Sequence, residues 1–182
     1  YGQSFVKYLR GMFAISIFDS KLQKLFLYRD RMGEKPLYYI RTNDSFFYCS
    51  EMKGILAPGI VPVDLDPSAV LDYFHYQYVP EPKSLVKQVF KLPKASYITI
   101  DFETLSIEQE KYWCQSKIIP EYRKDIALDI LDVLTETVSL QTQADVNIGF
   151  ALSGGIDSSA LVSLARQASN KEYIAYSVGY PG

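Results

Sequence analysis

Apolar and polar positions alternate in short runs over the first two thirds of the chain, and polar pairs separate several of the runs. Phe13 to Phe18, Leu25 to Tyr28, Leu37 to Arg41, Phe46 to Ser50 and Tyr97 to Ile100 read as strands, with Asp19-Ser20 and Asn43-Asp44 supplying hairpin turns. A helix is predicted to open at Asp66 as N-cap, with Pro67 in its first turn and Val70, Leu71 and Phe74 following at helical spacing. Up to Trp113 the pattern is therefore α+β with a mainly antiparallel sheet, and Ser116 to Pro120 reads as a linker. Beyond it the period changes. Ala127, Ile130, Leu131, Leu134 and Val138 make one helix face, and Val146, Ile148, Phe150 and Leu152 alternate as a buried strand. From Ser158, Ala160, Leu161, Leu164, Ala165 and Ala168 recur at helical spacing; a polar break from Ser169 to Glu172 follows, then a strand-like run from Tyr173 to Val178. Strand, loop, helix and strand form one βαβ unit of a parallel sheet, so the expected division is 1–115 and 116–182.

The loop of that unit is Ser153-Gly154-Gly155-Ile156-Asp157-Ser158. Unpaired N–H groups and the positive end of the helix dipole converge there, which suits an anion. Two glycines let the backbone approach a pyrophosphate, Ser153 and Ser158 can each donate a hydroxyl, and Asp157 is a candidate ligand for a magnesium ion that bridges phosphates. The loop lacks the lysine of the other common phosphate loop. Its chemistry therefore suits ATP cleavage between the α and β phosphates, with pyrophosphate leaving. The plainer reading is a turn in which Asp157 or Ser158 caps a helix. Ligands of parallel sheets bind beyond the carboxyl ends of the strands, which puts Val178 and Gly179 near the base or ribose.

Composition narrows the classes. With 182 residues, 48% hydrophobic, and a net charge of −2, the chain reads as soluble and globular, without a basic stripe for nucleic acid. No apolar run is long enough to span a bilayer, two distant cysteines make no disulfide framework, and a cytoplasmic setting fits. The cluster Arg29, Arg31 and Lys35, interrupted by Asp30 and Glu34, reads as ion pairs around a turn, in preference to an acid and base pair of Asp30 and Glu34. His75, the only histidine, lies among Tyr73, Phe74, Tyr76 and Tyr78 and reads as packing; the scattered tyrosines and phenylalanines read as core and interface.

SGGIDSSALVSLA resembles the PP-loop of the N-type ATP pyrophosphatases. LRGMFAISIFD (Leu9 to Asp19), YRDRMGEKPLYY (Tyr28 to Tyr39), FYCSEMKGIL (Phe47 to Leu56), YQYVPEP (Tyr76 to Pro82) and Tyr112-Trp113 resemble, in order, segments of glutamine-hydrolysing asparagine synthase, class B. The resemblance implies an Ntn-hydrolase-like glutaminase portion of antiparallel sheet, followed by the first βαβ unit of an α/β PP-loop synthetase domain that adenylates a carboxylate and aminates it with channelled ammonia. It implies that Ser153, Gly154, Gly155, Asp157 and Ser158 carry pyrophosphate and Mg2+, with Ile156 within the same loop. Ala151, where the family usually has leucine, and Val178 fall where the family contacts adenosine, and Met52 lies close to the ammonia route.

The family's glutaminase nucleophile is an N-terminal cysteine whose own α-amine serves as base. Here Tyr1 comes first, Cys49 and Cys114 are internal, and the family's glutamine-binding Arg and Asn-Gly-Glu segments have no counterpart. The expectation is an internal fragment without a catalytic residue of its own; a natural protein that has lost its glutaminase chemistry is the alternative. The partners implied are ATP, aspartate and glutamine in the full protein, with a homodimer left open. A related adenylating enzyme that closes β-lactam rings or cyclises peptides, and a non-catalytic nucleotide-binding module, remain as alternative functions.

Overall fold

The computed structural model describes residues 1–179 apart from Ile60, Leu105, Arg123 and Asn170, so the polar break at Asn170 and the final residues lie outside the described residues. The chain divides into two units, 1–119 and 120–182.

In the first unit, strands β1 (Ala14–Asp19), β2 (Lys24–Arg29), β6 (Ser96–Asp101) and β7 (Ile107–Lys111) form an antiparallel sheet in the order β1-β2-β6-β7. Strands β3 (Tyr38–Arg41), β4 (Phe46–Cys49) and β5 (Phe90–Lys91) form a second antiparallel sheet with β3 in the centre. Side chains alternate across a strand, so β2 divides its apolar residues between two cores. Leu25 and Leu27 join Ile98, Ile100, Leu37 and Leu92, with Tyr39 and Phe46 of the second sheet packed against them. Phe26 and Tyr28 point the other way, to Tyr97 and to Val6 of the amino-terminal 3-10 segment Gly2–Tyr8. Burial on both faces explains why KLFLYR is apolar almost throughout. A third cluster, Ile40, Ile55, Val61, Val86 and Val89, lies between the second sheet, α1 (Met52–Leu56) and the segment after α2 (Pro67–Tyr76).

The predicted hairpins form. Asp19 Oδ1 accepts the N–H groups of Lys21 and Leu22 at 2.9 and 3.0 Å, which starts the turn into β2. Asp66 caps α2 by accepting from Ser68 and Ala69, with Pro67 at the first position, and Gln77 ends the helix in a left-handed conformation. The helix runs through Val70, Leu71 and Phe74 as predicted; Ala69 is its buried residue, while Leu71 and Phe74 are 70% and 79% exposed. His75 is also exposed, with its ring edge-on to Tyr76 rather than packed in a core.

The charged turn after β2 differs from the expected ring of ion pairs. Asp30, 1% exposed, has no cation partner among the described residues; its carboxylate accepts the backbone N–H groups of Phe13, Met32, Glu34 and Lys35 at 3.0–3.3 Å. Arg29 reaches across the chain instead. It pairs with Glu81 and also donates to the carbonyls of Gly33, Lys35 and Leu92. Backbone donors satisfy a carboxylate without desolvating a second charge, so Asp30 uses the N–H groups of its sequence neighbours and not the cationic side chains of Arg29, Arg31 and Lys35.

In the second unit, β8 (Gly149–Ala151) and β9 (Ile174–Tyr176) pair in parallel, and α4 (Ile156–Ala168) connects them, so the βαβ unit is present. α3 (Ile126–Gln141) packs on α4 through Val138, Leu164 and Ala165, joined by Phe150 and Tyr173. Two expectations fail here. Ile130, Leu131 and Leu134 are exposed, leaving Val138 as the buried residue of the predicted α3 face. β8 is shorter than its alternating run and is not buried, because β9 is its one sheet neighbour among the described residues and Val146 is 76% exposed.

Burial raises the pKa of Asp30, but the N–H groups of Lys35, Glu34, Phe13 and Met32 outweigh it and hold the folded-state value below the ordinary one. The stability Asp30 contributes is therefore complete above its unfolded value, near pH 4, and is lost as pH falls through the lower folded value. Asp30→Asn is expected to lower unfolding free energy by about 3 kcal/mol at pH 7 and to flatten this part of the acid denaturation curve. Urea titrations between pH 2 and 7 measure both.

Candidate functional site

The loop 153–158 begins two residues after β8 ends and runs into the first turn of α4. Gly154 has φ +81°, a left-handed backbone that glycine adopts without strain, and a Cβ there would meet nothing within 4 Å. No other part of the chain crowds that side of the turn. Gly155 is the N-cap of α4 and has no side chain to cap it, so neither Asp157 nor Ser158 performs the capping that the plainer reading assigns them. The first-turn N–H groups of Ile156, Asp157 and Ser158 have no acceptor within the helix.

The hydroxyls are organised around this turn. Ser153 Oγ and Ser158 Oγ stand 3.1 Å apart, and Ser153 Oγ accepts weakly from Gly155 N–H at 3.4 Å. Ser158 and Ser159 hydroxyls donate to the Gly155 carbonyl at 3.1 and 2.9 Å. Asp157 is exposed in the first turn of α4 and makes no ion pair among the described residues. Ile156 is 88% exposed, so its side chain contributes nothing to the core.

Ala151 closes β8 opposite Tyr176 of β9. Leu152 N–H donates to the Tyr176 carbonyl at 2.8 Å, and Ser177 Oγ donates to the Leu152 carbonyl at 2.7 Å. These bonds hold the carboxyl ends of both strands side by side, with Val178 two residues beyond β9 and 83% exposed. Ala151, Ser153 to Ser158 and Val178 therefore lie along one end of the parallel pair. Ser159 and Ser177 were not singled out by sequence, because a serine that bonds to a carbonyl looks like any surface serine. Met52 belongs to the first unit, at the start of α1, half-buried against the cluster of Ile40, Ile55, Val61, Val86 and Val89. Among the described residues, no three His, Cys, Asp or Glu side chains are grouped to hold a metal ion, and no helix is long and apolar enough to cross a membrane.

Antiparallel sheets in the first unit and a parallel βαβ unit with a glycine loop in the second define a two-part protein, and comparison with known proteins identifies the parts. Residues 1–113 match the family described as glutamine amidotransferase domain, and residues 129–182 match the family described as asparagine synthase. The chain belongs to the glutamine amidotransferase domain family through residues 1–113, and its second unit is similar to the asparagine synthase family. The chain is 34% identical over 181 residues to a putative asparagine synthetase [glutamine-hydrolyzing] 2 of Methanocaldococcus jannaschii, covering 97% of this chain and 35% of the relative. It is 32% identical over 172 residues to asparagine synthetase [glutamine-hydrolyzing] 1 of Bacillus subtilis, covering 94% and 27%. Amidase chyE of Penicillium rubens is 31% identical over 169 residues, covering 90% and 24%. The chain thus spans about a quarter to a third of the length of these relatives.

Gly154→Ala places a side chain in free space but in a left-handed backbone, and is expected to destabilise the second unit by about 1–2 kcal/mol. Gly154→Asn is expected to cost less, since asparagine tolerates that conformation better. Denaturant unfolding of the three proteins checks the order.

Proposed function

We propose that this chain is part of a glutamine-dependent asparagine synthase, which converts ATP, aspartate, glutamine and water to AMP, diphosphate, asparagine and glutamate. The first unit is then the later portion of an Ntn-type glutaminase domain, and the second is the opening of a PP-loop synthetase domain. The observation that carries this reading is the SGGIDS turn at the strand-to-helix junction. It presents first-turn N–H groups and two hydroxyls 3.1 Å apart, in a unit similar to the asparagine synthase family.

The residues suit the β,γ-pyrophosphate of ATP. Gly154 and Gly155 would allow the phosphate oxygens to reach the backbone, the N–H groups of α4 would donate to them, and the Ser153 and Ser158 hydroxyls would rotate away from each other and from the Gly155 carbonyl to add two donors. Asp157, exposed and without an ion-pair partner among the described residues, is the carboxylate that would hold Mg2+. One carboxylate together with phosphate oxygens is an ordinary magnesium environment. Bound Mg2+ would neutralise charge on the departing pyrophosphate. Ala151 and Val178, at the strand ends, would contact adenosine. The aspartate carboxylate would attack the α-phosphate to give β-aspartyl-AMP with release of pyrophosphate, and ammonia from glutamine would then displace AMP. Met52 is proposed to lie along the ammonia route in the first unit. A cytoplasmic setting suits a reaction fed by ATP and free amino acids.

A different acceptor is the second reading. It draws support from the 31% identity to amidase chyE, whose name is not that of an asparagine synthetase.

In a full-length protein containing this chain, Asp157→Asn is expected to reduce Mg2+-dependent, aspartate-dependent pyrophosphate release by at least about 100-fold while glutamine hydrolysis stays near its original rate. Equal loss of both activities would make Asp157 a structural residue. Pyrophosphate release without a response to aspartate would favour the second reading.

A further inference from the structure

At the end of β7 the first unit has a cavity of about 390 Å³, lined chiefly by Arg31, Met32, Lys94, Lys111, Trp113 and Cys114. Three of these side chains are cationic, and no carboxylate lines the cavity. None of the three takes part in an ion pair among the described residues. Arg31 lies over the Trp113 ring, 5.9 Å from its centroid, and donates to the Lys7 carbonyl at 3.0 Å. Its Nε is buried with no hydrogen-bond partner. Three cationic side chains with no carboxylate among them favour a negatively charged guest in the cavity.

Cys114 lines this cavity, with Sγ 3.1 Å from Ser116 Oγ. The Ser116 hydroxyl and N–H, with Lys111 and Lys117 nearby, favour its thiolate. Cys49 is placed differently. It packs against the cluster of Ile40, Ile55 and Val61, and Gly54 stands so near its Sγ that a Cβ there would collide with it. The two thiols of one chain therefore face opposite environments.

We propose that Cys114 is a thiol-modification site that forms mixed disulfides with small anionic disulfides, whose carboxylates are received by Arg31, Lys94 and Lys111. The Cys114 thiol loses its proton to solvent, and Sγ attacks one sulfur of the incoming disulfide. A new S–S bond forms, the original S–S bond breaks, and its electron pair leaves on the second sulfur, which solvent protonates. Cys114 is oxidised and the departing half is reduced, so no further oxidant is needed.

The test follows adduct formation on each cysteine by peptide mass spectrometry. The chain is exposed to 5,5′-dithiobis(2-nitrobenzoate), a dianion, or to cystamine, a dication. The ratio of the two rates at Cys114 is expected to exceed the ratio for 2-mercaptoethanol by about tenfold or more at low salt. It should collapse in about 0.5 M NaCl and in the double variant Lys94→Gln/Lys111→Gln. Oxidised glutathione should modify Cys114 before Cys49. A ratio equal to that of the small thiol, a ratio insensitive to both salt and the double variant, or earlier modification of Cys49 would overturn the proposal. The salt arm uses the unmodified chain and holds even where the double variant fails to fold.

Discussion

The first unit depends on a carboxylate that is buried without a cation. Asp30 binds the N–H groups of Phe13, Met32, Glu34 and Lys35, and so fixes the approach to β1 and the whole turn that leads to β3. Its neighbour Arg29 closes the other side through Glu81 and three carbonyls. Tyr112 adds a third tie by donating to the Arg29 carbonyl at 2.8 Å, and burial raises its pKa to about 12. Together these three residues connect segments more than eighty positions apart. The two sheets can share the Leu27, Leu37 and Leu92 core because this junction sets where one stops and the other begins.

The readable parts of the fold were those in which local pattern and tertiary burial agree. β2 and β6 carry apolar residues on both faces and were plain in the sequence, as was the Asp66-Pro67 start of α2. β7 was missed because IEQEK has one apolar residue; pairing with Ser96 to Ile100 makes it a strand, and its outer positions are exposed. β5, at two residues, is set by β3 rather than by its own composition. The Arg29–Glu81 pair spans fifty-two positions, and no local rule could link them.

The loop at 153–158 was legible for a different reason. Its chemistry sits in consecutive residues, so the strand before and the helix after were enough to place it. α4 begins at Ile156 and not at Ser158 because Gly155, which has no side chain to cap the helix, still takes the N-cap conformation. The cavity around Cys114 had no such signature. Arg31, Lys94 and Lys111 come from three separate segments, and folding alone brings them together.

The parallel pair β8 and β9 has one further implication. Each strand has a single partner among the described residues, so half of each strand's backbone hydrogen-bonding capacity faces outward. Such edges act as templates for another strand, and here they adjoin exposed Ile174 and Tyr176. Whatever extends this sheet must align with strands of three residues each, so the register of any added strand is set within about 10 Å of the glycine loop. The same short ladder that carries the loop thereby limits which chain segments can grow beside it.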